Sequence, residues 1–106
     1  MEIKYYENML ELHDNHTFWK LNNETAENIS TNEFYNVINY LTEKYNNIFN
    51  KKFNTNLYGL GRSGRHICVE NNDFNKRHYK SMKRYALKLE KDFVEDFNNI
   101  NFLENT

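Results

Sequence analysis

From Ser30 onward the apolar positions keep the period of a helix. Phe34, Val37, Ile38, Leu41, Tyr45, Ile48 and Phe49 recur at steps of three and four, which places them on one face of a 3.6-residue turn. Ser30 and Glu33 precede the run at the Ser-x-x-Glu spacing of a capping box. The pattern predicts a helix over 30–50. A second periodic stretch predicts a helix over 73–98, with Asp73 as its N-cap. Phe74, His78, Met82, Tyr85, Ala86, Leu89, Phe93 and Phe97 trace its apolar face. Between the two, Asn56, Leu57, Tyr58 and Leu60 lie on one side of a Gly-Arg-Ser-Gly centre, with His66, Ile67, Cys68 and Val69 on the other. Such flanks around glycines predict a β-hairpin over 55–70. Gly61 and Gly64 would supply positive φ at its turn, and Gly59 a bulge or a close approach.

The first 29 residues are less periodic. Ile3, Tyr6, Met9, Leu10 and His13 suggest a short helix, with Phe18 and Trp19 as core anchors. Thr17 to Leu21 reads either as a further helical turn or as a third strand. Residues from Asn99 onward read as a loose tail. The expected fold is α+β: one small domain, 1–106, with helices packed on the hairpin.

Composition supports a core of unusual make-up. Eight Phe, eight Tyr and one Trp supply most of the bulk that only three Met and three Val leave unfilled, and each large ring buries roughly 150–250 Å². The twenty Asn fit an AT-rich coding sequence better than a demand for amides. The single cysteine, Cys68, lies between Ile67 and Val69 and reads as a packing thiol; Arg65 and His66 leave a reactive thiol as the alternative. No run is long or apolar enough to span a membrane, and no leader pattern opens the chain. The expected compartment is the cytoplasm.

Charge divides the chain more sharply than the net value of −1 implies. Residues 1–49 carry eight acids against three lysines, a balance of −5. Residues 50–91 carry eleven bases against Glu70, Asp73 and Glu90, a balance of +8; the remainder carries four acids. Like charge gathered in one block directs attention to an anionic partner.

Two constellations fall in that block. In "GRSGRH" the backbone amides at the glycines, the Arg62 and Arg65 guanidiniums, the Ser63 hydroxyl and His66 are groups suited to a phosphate or carboxylate. The spacing is neither that of a P-loop nor of a dinucleotide fingerprint. The alternative is a tight turn with solubilising arginines. The following helix carries Lys76, Arg77, Lys80, Lys83, Arg84 and Lys88 with Tyr79 and Tyr85 interleaved, the mixture of charge and rings that grips single-stranded nucleic acid or nucleotides. A solvated helix face is the bland alternative. "HDNH" at 13–16 offers too few ligands at useful spacing for a metal, and Ser63 with His66 is the nearest approach to a nucleophile and base. Neither a cofactor nor catalysis is expected.

The stretch Gly61–Glu70, followed by the Asp-led helix rich in Arg, Lys and Tyr, resembles small proteins of bacteriophages and mobile elements that share the Gly-Arg-Ser-Gly-Arg-His run. It departs from their pattern at Phe74, where a proline is expected. In general character such proteins are similar to anti-CRISPR and other anti-defence inhibitors. The resemblance implies a non-enzymatic inhibitor acting in the host cell by stoichiometric binding through the hairpin and basic helix. Its target would be a defence-system protein or ribonucleoprotein, or a phosphate-bearing ligand. A nucleic-acid- or nucleotide-binding regulatory module is the alternative. For the acidic and basic regions, the expectations are mutual neutralisation within the molecule, pairing in a homodimer, or nucleic-acid mimicry by the acids.

Overall fold

The computed structural model describes residues 8–14, 30–61 and 66–100. In chain order the elements are strand β1 (Met9–Asp14), helix α1 (Thr31–Phe53), strand β2 (His66–Glu70), helix α2 (Asp73–Arg77) and helix α3 (Tyr79–Asn99). The architecture is α+β. Ile3, Tyr6, Thr17–Leu21, with Phe18 and Trp19, and Gly64 lie outside the described residues.

Helix α1 starts where the capping spacing placed it. The Glu33 amide donates to Ser30 Oγ at 3.2 Å, satisfying one of the free amides of the first turn. The helix ends at Asn54, whose φ of 53° is left-handed and whose amide donates to the Asn50 carbonyl. Its buried stripe is Ile38, Leu41, Tyr45, Phe49 and Phe53, the predicted face extended by one turn. This stripe packs on Met82, Ala86, Leu89, Phe93 and Phe97 of α3. Phe34 meets Phe97, Tyr45 meets Phe93, and Phe53 meets Tyr85. Rising numbers on α1 meet falling numbers on α3, so the two helices run antiparallel.

The sheet corrects two expectations. The first is the short N-terminal helix, because Met9–Asp14 is a strand. It pairs antiparallel with β2, from Met9 opposite Glu70 to Asp14 opposite His66. An irregularity between Glu11 and His13 leaves Leu12 as the extra residue, and Leu12 is buried in the core. The ladder offered by β2 outweighs the weak helical spacing of so few residues. The second is the 55–70 hairpin, which among the described residues is reduced to a single bridge. Tyr58 and Cys68 exchange both backbone hydrogen bonds, at 2.8 and 3.0 Å. Pairing stops there because Gly59 and Gly61 have φ of 88° and 76°, which turns the chain out of extended form. Leu60, between them, enters the core. With β1 on one edge and Tyr58 on the other, Ile67, Cys68 and Val69 are all buried. Cys68 is accordingly a packing thiol.

The second predicted helix is divided. His78 (φ −103°, ψ 17°) separates α2 from α3. Asn72, not Asp73, caps α2, its side chain accepting from the Asn75 amide at 2.8 Å. The break removes Phe74 and His78 from the buried face and gives α2's inward position to Asn75, which is fully buried. The Asn75 side-chain amide donates to the Glu70 carbonyl (2.7 Å) and to Thr55 Oγ1 (3.2 Å). Asn46 likewise accepts from the Leu57 amide at 2.7 Å. These amides act as caps and loop ties, so at these positions the asparagines answer a structural demand.

Candidate functional site

The cations of α3 are presented by the same packing that builds the core. Tyr85 is half-buried, with its ring against Phe49 and Phe53 of α1, centroids 6.2 and 5.8 Å away. Lys52, in the last turn of α1, holds its Nζ 5.0 Å from the centre of the Tyr85 ring; Lys88, one turn beyond Tyr85, holds its own at 5.8 Å. A cation over an aromatic face is attracted by the ring quadrupole, so Tyr85 gathers charge from two helices. Lys52, Ser81, Arg84, Tyr85 and Lys88 line an open concavity of about 330 Å³. Among the described residues, no carboxylate lines it.

Of the residues singled out in the sequence, Arg84 and Lys88 meet in this concavity. Lys76, Arg77 and Lys80 are exposed on α2 and the start of α3. Lys83 lies over the half-buried Tyr79 ring at 5.8 Å. Among the described residues, none of Lys76, Lys80, Arg84 and Lys88 is ion-paired. His66 begins β2 with Nδ1 3.4 Å from Glu11 Oε2. Arg62, Ser63 and Arg65 lie outside the described residues, as do Asn15 and His16 of the "HDNH" cluster.

Two members of the concavity escaped the sequence reading. Lys52 belongs to the basic block but sits on a different helix, and Ser81 carries no pattern of its own; Tyr85 reads both as part of the apolar face and as a ring interleaved with the bases. The signal that could have found them is the pairing of two helices whose basic flanks share an aromatic. On α3, Leu87, Glu90, Lys91, Val94 and Glu95 line a second concavity, about 440 Å³, which includes two carboxylates. No family model, curated protein or solved structure matches the chain.

A separate polar cluster ties the helices at their other end. Asp96 accepts hydrogen bonds from the Tyr45 hydroxyl and from Lys44 Nζ, the latter at 3.0 Å. The Tyr45 hydrogen bond, with help from Lys44, holds the Asp96 carboxyl below the usual carboxylate range. Burial, reinforced by the hydrogen bond to Asp96, pushes Tyr45 above the ordinary phenol value. The acidic end of α3 thus serves the helix pair at the expense of its own dipole. Among the described residues, no helix is long and apolar enough to cross a membrane.

Proposed function

We propose that the protein is a non-enzymatic binder that grips a phosphate-bearing partner in the concavity between α1 and α3. One observation carries the reading: Lys52, Arg84 and Lys88 converge from two helices around Tyr85 and Ser81, with no acid in the lining among the described residues. Guanidinium and ammonium groups donate to phosphate oxygens while the hydroxyls supply neutral hydrogen bonds. On the resemblance read in Gly61–Glu70, the setting we propose is the stoichiometric antagonism of a bacterial defence system in the host cytoplasm. A defence ribonucleoprotein would offer the phosphates through its RNA.

Titration calorimetry with inorganic polyphosphate tests the binding. The expected result is saturable binding that R84A/K88A weakens at least tenfold. Both residues are exposed, so the double variant should keep the wild-type melting temperature. Binding unchanged in R84A/K88A would overturn the reading. Turnover of a nucleotide or nucleic acid by the purified protein would overturn the non-enzymatic part.

A further inference from the structure

The break at His78 has a product beyond the division of a helix. The rings of Phe74 and His78 stack with centroids 4.2 Å apart and planes inclined by 18°. Phe74 is 43% exposed, and His78 is exposed as well. In an unbroken helix, Phe74 and His78 would stand eight and four residues before Met82, on the stripe that enters the core. Instead α3 begins at His78 without a side-chain cap, and the aromatic pair is held in water.

The stack is also near the concavity along the chain. His78, the N-cap residue of α3, precedes Ser81 by three residues and Tyr85 by seven. Seven residues of helix rise about 10 Å. An exposed flat aromatic pair therefore stands about two turns of α3 before a group of cations, with the exposed Lys76, Arg77 and Lys80 on the same stretch of chain.

We propose that this surface binds single-stranded nucleic acid, its bases stacking on the Phe74–His78 pair while its phosphates occupy the concavity of Lys52, Arg84 and Lys88. The proposal rests on the reading above that the concavity takes phosphate, and it adds the ligand class. Stacking on protein rings requires unpaired bases, since a duplex keeps base faces covered, and it is tolerant of sequence because every base has a π-face. A lone nucleotide is too short to use both features at once. An acidic protein would use the cations and leave the rings idle.

Fluorescence anisotropy with labelled ten-nucleotide oligothymidylate decides the matter, with duplex DNA and inorganic polyphosphate of matched phosphate number as competitors. The single strand should compete at least tenfold better than either. F74A should weaken oligothymidylate binding by about five- to a hundredfold, the range a stacked base contributes, and leave polyphosphate binding unchanged. F74Y should restore it, and R84A/K88A should weaken both ligands. Melting curves identify any variant that fails to fold, and F74Y then carries the comparison alone, by keeping wild-type preference for the single strand. Equal binding of oligothymidylate and polyphosphate, or an F74A protein that folds and binds the oligomer as wild type does, would overturn the stacking inference and leave the concavity reading standing. Binding of neither ligand would overturn both and point to an acidic protein surface.

Discussion

Asp96 carries a share of the helix pairing on a single carboxylate. Its lowered pKa means that the folded protein holds the Asp96 proton less tightly than the unfolded chain does. Stability from this group is therefore present above the ordinary carboxylate range and lost as pH falls through the folded value. Tyr45 has the opposite sign: its raised pKa gives a contribution that is present below the ordinary phenol value and lost as pH rises past it. Chemical denaturation across pH should show both limbs in the wild type. D96N should flatten the acid limb, and Y45F should flatten the alkaline limb. Two glycines are equally specific. A Cβ on Gly59 would lie 2.1 Å from the His66 carbonyl oxygen, and one on Gly61 would lie 2.6 Å from Phe93 Cζ. Left-handed backbone alone costs a non-glycine residue about 1–2 kcal/mol. G59A should exceed that in urea unfolding, because backbone rather than a yielding side chain stands in the way. A G59A protein as stable as wild type would show that the Tyr58–Cys68 bridge contributes little.

At the scale of elements, the junction β2–α2 depends on Asn75 more than its short helix suggests. Replacing Asn75 with Ala removes the side-chain donor to the Glu70 carbonyl and to Thr55. Each of these part-buried hydrogen bonds contributes about 0.5–1.5 kcal/mol, a loss that N75A should show in equilibrium unfolding. The same junction marks where the sequence was legible and where it was not. Helix α1 was readable at its start because cap and periodicity agree locally: Ser30 and Glu33 precede a clean three-and-four repeat. Strand β1 was not, since Met9–Asp14 becomes a strand only through pairing with β2, some sixty residues away in sequence. The loss of Phe74 and His78 from the apolar face was also illegible, because Asn75 takes the inward place by bonding two groups distant in sequence. Of the candidate site, the α3 cations stood out as a stripe of charge. Lys52 joined them only through the antiparallel packing of the two helices.

Across the whole molecule, the segregated charge has at least one internal use. Lys44 and Asp96 join the acidic end of α3 to α1, whereas the α3 cations named above have no ionic partner among the described residues. The arrangement favours neutralisation within one molecule for the acids and an external anion for the bases. Light scattering should then give a monomer at low and at high ionic strength, and a dimer that dissociates with salt would show acidic and basic faces meeting between copies. The central claim is that Lys52, Arg84 and Lys88 act together on phosphate, and the dependence of oligothymidylate affinity on salt tests it most directly. Each neutralised phosphate on a single strand contributes about −0.7 to the slope of log affinity against log salt. Three cations acting together predict a wild-type slope of about −2 from this concavity, nearly abolished in K52A/R84A/K88A. A slope near zero in the wild type, or one unchanged in the triple variant, would contradict the account.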